Sequence, residues 1–226
     1  MGNEIIKNAK YILDCILDII FAEENKCPCC GEYLYENIVL CCKCSGKIEL
    51  CREPMDVNKE DINFICHSYS YYSGVVKNLI IKLKYESDFK AGAVLVEFLY
   101  DYVKNNDLNF DYITFVPSSR TSLKKRGYNQ SKYLAKKLGE KINIGVIDVL
   151  YKVVETKDQI GLDKESRWDN LRGSFKIRKH SYIEDSSILL VDDVITTGST
   201  SYFCREELLK GGAKEIVILS VARGRI

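Results

Sequence analysis

The stretch that decides the fold is Ile188-Leu-Leu-Val-Asp-Asp-Val-Ile-Thr-Thr-Gly-Ser-Thr200. Its apolar beginning, Ile188–Val191, is bounded like a buried strand of a parallel sheet. Tyr202–Lys210 has the pattern of a helix that ends at two glycines. The loop between them therefore lies at the carboxyl end of a strand and the N-terminus of a helix. Unpaired backbone N–H groups and the positive end of the helix dipole favour a phosphate there.

The side chains of this stretch suit the same ligand. Asp192 and Asp193 are acceptors for vicinal ribose hydroxyls, or ligands for a hard cation such as Mg²⁺. Gly198 lets the backbone approach a ligand closely. Hydroxyl donors come from Thr196, Thr197, Ser199 and Thr200. We therefore predict a sugar phosphate site; ordinary helix capping is the alternative, but a cap uses one hydroxyl and explains neither acid.

A second charged loop follows another predicted strand. Tyr112–Val116 has the pattern of a short buried strand that stops at Pro117. In open α/β sheets, ligands bind at such strand ends, and arginine suits anions because it is bidentate and always charged. We expect the diphosphate of the same ligand to bind the cations of this loop, and a solvated loop is the alternative. These cations are Arg120, Lys124, Lys125 and Arg126.

The N-terminal part of the chain contains paired cysteines. Cys27-x2-Cys30 and Cys41-x2-Cys44 are separated by ten residues, which is typical of a zinc ribbon with four thiolate ligands. Metal binding then supplies much of the folding free energy of so short a segment. A redox pair is the alternative, but it needs a strand–helix context and no second pair nearby.

The other cysteines are interpreted as thiols without a chemical role. Cys29 and Cys42 are alternative ligands or small buried thiols, and Cys51 lies close enough to leave the ligand assignment open. A core position is predicted for Cys15, Cys66 and Cys204.

The composition is that of an ordinary globular protein. Of 226 residues, 46% are hydrophobic and 29% charged, and the net charge of +1 gives no global field for nucleic acid or anionic lipid. Ile5–Phe21 is apolar, but its four charges exclude a signal sequence or membrane span, and its spacing predicts an amphipathic helix. Ten cysteines without a secretory signal indicate a reducing, cytoplasmic location.

Two units are predicted: a helix and zinc ribbon over residues 1–52, and an α/β domain over residues 62–226. The polar stretch Leu50–Asp61 is assigned to a linker. Strands that alternate with helices predict a parallel sheet with right-handed crossovers, flanked by helices. Further strands are predicted at Phe64–Tyr72, Val146–Val153, Gly173–Ile177 and Glu215–Val221. Further helices are predicted at Gly74–Lys84, Lys90–Lys104 and Gly127–Leu138.

Three features occur in one order: the four-cysteine module, the loop from Pro117 to Gln130 with Arg126-Gly-Tyr-Asn-Gln130, and Val191-Asp-Asp-Val-Ile-Thr-Thr-Gly198. The stretches Leu79–Tyr85 and Thr156–Phe175 add matching residues. On these motifs the chain resembles the ComF family, which is related to the GntX proteins. The last motif resembles the phosphoribosyl diphosphate (PRPP) loop of type I phosphoribosyltransferases. The resemblance implies a phosphoribosyltransferase-like sheet with an N-terminal zinc ribbon, and a part in uptake or processing of transforming DNA.

The resemblance also implies roles for the site residues. Asp192 and Asp193 would bind the ribose 2′- and 3′-hydroxyls, and Thr196–Thr200 the 5′-phosphate, with Mg²⁺ bridging diphosphate and ribose oxygens. The implied reaction is displacement of diphosphate from C1′ by a nitrogen nucleophile, with Arg120 and Arg126 facing the leaving group.

Several points of this reaction stay open. The family usually has arginine where this chain has Lys124 and Lys125, so the charge is kept and the bidentate geometry is lost. The sequence identifies neither the acceptor nor turnover. Acceptor-binding segments are predicted at Phe64–Tyr85 and Thr156–Phe175. In these segments Lys82, Tyr85, Gln159, Arg167 and Asn170 either contact substrate or have a structural role.

A binding module is the competing class of function. Arg120–Lys141 contains eight cations and one acid, with Tyr128 and Tyr133 between them. Single-stranded DNA binds such a mixture of cations and aromatic faces; a solvated helix face with Tyr133 in the core is the alternative. A third hypothesis is an adaptor whose ribbon docks a competence helicase.

Overall fold

The structure is a computed structural model that describes residues 25–35, 38–59, 62–153, 164–178 and 183–225. The predicted N-terminal helix Ile5–Phe21 and the matching residues Thr156–Gln159 lie outside these ranges. No helix within them is both long and apolar enough to cross a membrane.

A five-stranded sheet of order β1-β2-β7-β6-β3 forms the centre of the molecule. Four of its strands are parallel, as the sequence predicted, and β1 pairs with β2 in the antiparallel direction at one edge. The strands are β1 (Met55–Lys59), β2 (Ile62–Tyr71), β3 (Tyr112–Phe115), β6 (Ser187–Ile195) and β7 (Glu215–Arg223).

Strand β1 occupies the stretch that was predicted to be a linker. Met55 and Val57 are buried, whereas Asp56 and Asn58 between them are exposed. This alternation has the period of a strand, but it covers too few residues to stand out in a polar stretch. The division into residues 1–52 and 62–226 itself stays a prediction.

A second, two-stranded sheet lies outside the main one. It consists of β4 (Leu150–Lys152) and β5 (Phe175–Ile177), which are antiparallel. The predicted strand Val146–Val153 is therefore shorter than expected, and Val146 itself forms only an isolated bridge to Ile113 of β3.

The helices are α1 (Cys42–Ser45), α2 (Gly74–Ile81), α3 (Phe89–Asn105), α4 (Arg120–Arg126), α5 (Gln130–Ile142), α6 (Lys164–Leu171) and α7 (Ser199–Lys210). A π turn, Lys82–Glu86, continues α2. Helix α4 lies where a loop was predicted: Ser119 caps it by accepting from the backbone N–H of Ser122 at 3.1 Å, and Gly127 ends it at a φ of 79°.

Apolar side chains cover both faces of the sheet. Leu189 and Val191 of β6 pack with α2, α3 and α5 on one face, and Ile188 and Leu190 pack with α6 and α7 on the other. A continuous apolar run is expected of a parallel strand buried on both faces. Trp168 packs in the second core against Tyr202, with ring centroids 5.2 Å apart.

Candidate functional site

Two carboxylates lie side by side in strand β6, which continues past the predicted end at Val191. Asp192 and Asp193 are 8% and 9% exposed. One oxygen of Asp192, Oδ1, accepts hydrogen bonds from Ser131 Oγ at 3.0 Å and from the backbone N–H of Asp193 at 2.9 Å. The other carboxylate forms an ion pair between Asp193 Oδ2 and Lys84 Nζ, 2.8 Å apart.

Burial and charge set the protonation of this group. Burial, and secondly the charge of Asp193, raise the pKa of Asp192 to about 7. Burial alone would lower the pKa of Lys84, but the adjacent carboxylates of Asp193 and Asp192 outweigh it and raise this pKa. Lys84 is therefore a cation at neutral pH that partly neutralises two acids.

A small polar cavity of about 170 Å³ opens above these carboxylates. It brings together residues from the π turn, α4, α5, β4, β6 and α7. Of the predicted site residues, Arg126, Asp192, Asp193 and Thr200 line it; the other lining residues include Lys84, Gln130, Ser131 and Lys152.

Two donor atoms on side chains that line this cavity are buried and have no hydrogen-bond partner among the described residues. They are Arg126 Nε and Gln130 Nε2. The two side chains contact each other through a hydrogen bond from Arg126 Nη1 to Gln130 Oε1 at 3.0 Å, and the guanidinium carbon lies 5.3 Å from the ring centroid of Tyr85. A buried, unsatisfied donor costs about 1–3 kcal/mol. A ligand with acceptor oxygens offsets that cost.

The predicted phosphate loop is shorter than expected, because α7 begins at Ser199 rather than at Tyr202. Thr197 Oγ1 accepts weakly from the backbone N–H of Ser199 at 3.4 Å and lies 2.9 Å from its hydroxyl. Part of the loop therefore satisfies its own donors, while Thr200 contributes to the cavity.

Glycine is required at position 198 for a structural reason that differs from the predicted close approach to a ligand. The φ of Gly198 is 77°, and an added Cβ would lie 2.6 Å from Val57 Cγ2 of β1. Glycine is therefore required by the turn and by close packing against the edge strand, a contact between residues that are far apart in the chain.

The other three predicted diphosphate cations lie on α4, outside the small cavity. Arg120 lines a neighbouring, larger cavity, whereas Lys124 and Lys125 are exposed and line neither cavity. Because these residues form a helix rather than a loop, they point in several directions, and of the four only Arg126 lines the cavity that contains the acids.

The larger cavity has a volume of about 710 Å³ and shares Pro117, Ser118 and Lys152 with the small one. Cationic and aromatic side chains line it, among them Lys132, Lys136, Arg178, Phe89, Tyr128 and Tyr151. Lys132 is paired with Asp148 at 2.6 Å. Tyr133 packs against Phe89, with ring centroids 5.2 Å apart, and this favours its predicted structural role.

Sequence reasoning missed Lys84, Gln130 and Ser131. Lys84 lies in the matching stretch Leu79–Tyr85, but only the tertiary structure places it against Asp193. Lys82 was considered for the site and instead donates to the carbonyl oxygen of Pro28 at 2.6 Å.

The four predicted zinc ligands converge. The sulfur atoms of Cys27, Cys30, Cys41 and Cys44 all lie within 4.8 Å of one another. With zinc–sulfur bonds of about 2.3 Å, a tetrahedral site needs sulfur–sulfur distances of roughly 3.8 Å, so this donor set fits zinc.

The remaining cysteines lie outside this cluster. Cys29 accepts from Asn78 Nδ2 at 3.8 Å, and Cys42 is exposed. Cys51 is buried, and Cys66 and Cys204 are fully buried in the second core, as predicted for the latter two.

Comparison with known proteins gives relatives of one kind. No protein-family model matches the chain. Competence protein F of Haemophilus influenzae is 30% identical over 160 residues, which cover 68% of this chain and 70% of that protein. Competence protein ComFC of Streptococcus pneumoniae is 24% identical over 201 residues, which cover 88% of this chain and 81% of that protein. DNA utilization protein YhgH of Salmonella typhimurium is 27% identical over 162 residues, which cover 69% and 70%.

Similar solved structures include adenine phosphoribosyltransferase from Thermoanaerobacter pseudethanolicus, with a TM-score of 0.41 and 17% identity over 80% of this chain and 98% of that one. The PRPP amidotransferase of B. subtilis has a TM-score of 0.42 and 19% identity over 62% of this chain and 30% of that one. Because Competence protein F is matched at 30% identity over 70% of its length, this chain, an α/β protein with a mainly parallel sheet between helices, belongs to the ComF family of competence proteins.

Proposed function

We propose that the small cavity binds PRPP or a related ribose phosphate together with Mg²⁺, in a protein that acts in DNA uptake for natural transformation. The ligand is inferred from two buried carboxylates that line one cavity together with Arg126 and Gln130, side chains that each have an unsatisfied buried donor. The role in DNA uptake rests on the names of the relatives, Competence protein F and ComFC.

The cavity offers complementary groups for both parts of such a ligand. Asp192 and Asp193 accept hydrogen bonds from sugar hydroxyls. Arg126 Nε and Gln130 Nε2 donate to phosphate oxygens. The first turn of α7, with Thr200 at the cavity, is the proposed seat of the 5′-phosphate.

Carboxylates are ligands that Mg²⁺ prefers. Asp192 Oδ1 and Asp193 Oδ2 already have partners within the chain, so the other oxygen of each acid is the proposed ligand. When bound, Mg²⁺ would neutralise charge on the diphosphate. Because the acids also stabilise positive charge on the sugar, and Arg126 faces negative charge on a leaving group, the arrangement suits displacement of diphosphate at C1′. The acceptor and turnover are not assigned.

Calorimetry with PRPP and Mg²⁺ tests this proposal. We expect saturable binding that weakens at least tenfold, about 1.4 kcal/mol, in Asp193→Asn and Arg126→Met, and an unchanged affinity in the exposed control Lys104→Met. Lys124→Met tests the predicted diphosphate contact of Lys124. Absence of binding at millimolar PRPP, or equal affinities for all variants, would contradict the proposal.

A second candidate function is single-stranded DNA binding at the larger cavity, alone or as part of a helicase adaptor that has kept the PRPP pocket without turnover. It is favoured by the aromatic and cationic lining, in which Lys136 is exposed. Several cations of the predicted basic run are, however, paired: Lys132 with Asp148, Lys137 with Glu140, and Lys141 with Glu97.

Binding of a labelled oligonucleotide should therefore weaken steeply with salt and in Lys136→Glu. The control is Lys137→Glu, because Lys137 is already neutralised by Glu140 and does not line the cavity. Binding that is absent, or insensitive to both salt and Lys136→Glu, would exclude this candidate.

A further inference from the structure

The π turn Lys82–Glu86 contacts both the zinc ribbon and the acids of the small cavity. It continues α2 directly and ends at Ser87, whose φ is 53°. Such turns insert an extra residue into a helix and are frequent at functional sites. Its position between the two sites suggests that it connects them physically.

Lys82, the first residue of the π turn, is hydrogen-bonded to the zinc ribbon. Lys82 Nζ donates to the carbonyl oxygen of Pro28 at 2.6 Å, and Pro28 lies between the predicted metal ligands Cys27 and Cys30. One helical turn earlier, Asn78 Nδ2 donates to Cys29 Sγ at 3.8 Å. The helix end is thus attached to the first metal knuckle at two places.

The next residues of the turn reach the core and the cavity. Leu83 is 1% exposed, and its carbonyl oxygen accepts a hydrogen bond from the hydroxyl of Tyr128. Lys84 forms the 2.8 Å ion pair with Asp193. The ring of Tyr85 lies 5.3 Å from the guanidinium carbon of Arg126. Consecutive residues therefore join the metal knuckle to both charged sides of the cavity.

We propose that Lys82 is a positioning residue that holds the π turn on the metal-bound knuckle, so that Lys84 stays on Asp193 and metal loading of the ribbon sets the ligand affinity of the cavity. The ligand in this statement rests on the proposed function. The proposal that Lys82 positions the Lys84–Asp193 pair does not depend on that ligand.

The physical reason has two parts. A turn that is already ordered loses less conformational entropy when a ligand binds. In addition, Lys84 neutralises one of two adjacent carboxylates, so its loss from Asp193 would leave a more negative cavity that repels a phosphate. Both effects weaken binding when Lys82 no longer holds the turn.

The first test needs no ligand. It is a double-mutant cycle in which urea unfolding measures the free energy of unfolding of each variant. The coupling between Lys84 and Asp193 is measured with Lys84→Met and Asp193→Asn, first with Lys82 present and then in Lys82→Met. We expect the coupling to fall by about half or more in Lys82→Met. It should be kept in Lys82→Arg, which retains a donor, and in Lys47→Met, a control at an exposed ribbon position. Lys82→Leu, which also lacks a donor, replaces Lys82→Met if the latter does not fold.

The ligand test is calorimetry with PRPP and Mg²⁺ on the same variants. The dissociation constant should rise about tenfold in Lys82→Met, and by a similar factor when zinc is removed from the wild-type ribbon by a chelator. Zinc removal should add little to Lys82→Met, because both changes release the same turn. If zinc removal and Lys82→Met instead raise the dissociation constant independently, so that their factors multiply, the proposed link between the ribbon and the cavity is wrong.

The two proposals fail in different ways. If no variant binds PRPP, the proposed ligand is wrong, and the coupling between Lys84 and Asp193 still reports on Lys82. If that coupling is unchanged in Lys82→Met, or in Lys82→Leu where that variant replaces it, the positioning role is wrong whatever the cavity binds.

Discussion

At the scale of single residues, the site consists of two acids that need a cation. Asp192 and Asp193 lie next to each other in a buried strand, and two adjacent buried carboxylates repel each other and are poorly solvated. Lys84 offsets this by its ion pair with Asp193, and Ser131 by its hydrogen bond to Asp192. Both acids are therefore held by contacts within the chain.

Lys84→Met should destabilise the protein at neutral pH by about 1–3 kcal/mol, because it leaves Asp193 as an unpaired charge with little solvent contact. The side chain of Lys84 is 19% exposed, so some screening remains. Urea unfolding measures the change. Lys84→Met combined with Asp193→Asn should recover part of the loss, whereas a double variant as unstable as the sum of both singles would contradict the pairing.

The pH dependence of stability should report on Asp192. Its pKa is raised to about 7, above its value in an unfolded chain, by burial and by Asp193. The folded state therefore holds the proton more tightly. The resulting stability is fully present below about pH 4 and is lost as pH rises through about 7.

Asp192→Asn cannot titrate, so its unfolding free energy should vary less over this window than that of the wild type, by an amount on the order of a few kcal/mol. Urea unfolding without Mg²⁺ at pH values from 4.5 to 8 measures this. Asp56→Asn, at an exposed position of β1, serves as the control. Parallel pH profiles for wild type and Asp192→Asn would show that the carboxyl has an ordinary pKa.

At the scale of elements, short and irregular pieces shape the site. Strand β1 packs Val57 against Gly198, helix α4 brings Arg126 to the acids, and the π turn presents Lys84. Each is between five and seven residues long. Such elements are stabilised by contacts with the rest of the molecule more than by their own propensity.

Gly198→Ala should destabilise the protein by about 2 kcal/mol or more, since a left-handed conformation costs a non-glycine residue about 1 kcal/mol and the new methyl group would clash with Val57. Thermal unfolding measures the change. Val57→Ala in the same chain should remove the clash but not the backbone strain, and so restore part of the stability. Gly145→Ala is the control, because its added Cβ would lie 3.6 Å from the nearest atom. An equal effect at both glycines would contradict this account.

At the scale of the whole molecule, the ribbon and the α/β sheet share one core. Leu40, Cys41 and Cys44 of the ribbon pack in the same apolar cluster as Leu79 and Leu83. A module that shares buried surface in this way does not unfold independently of its neighbour. Loss of the metal is therefore expected to affect the entire chain.

Removal of zinc by a chelator, or Cys30→Ser, should lower the temperature of a single cooperative transition for the whole chain, because metal binding is coupled to folding. Scanning calorimetry measures this, and native mass spectrometry should count one zinc per chain. Cys42→Ser, outside the four-sulfur cluster, should retain metal and transition temperature. Two separate transitions, of which only one responds to zinc, would show that ribbon and sheet are independent.

Long and strongly patterned features of this protein follow from its sequence. Three such features can each be recognised within a short stretch of sequence: the apolar run of β6, the helical spacing over α3 and the two cysteine knuckles. Hydrophobic periodicity and metal-ligand spacing are local properties, so the strand and the helix were confirmed in type and approximate position, and four strands of the sheet are parallel as expected. The four predicted ligand sulfur atoms converge, whereas zinc binding itself stays a prediction. The same reasoning located Asp192, Asp193 and Arg126, which meet in one cavity.

Only the tertiary structure decided how that cavity is completed. Lys84 pairs with an acid more than a hundred residues away in the chain, and its own surroundings in sequence resemble any amphipathic helix. The exposed positions of Lys124 and Lys125 depend on whether the loop after β3 winds into a helix, and the glycine at position 198 depends on an edge strand that is remote in sequence. Electrostatic pairing and close packing act through space, and a linear pattern does not contain the distances that determine them.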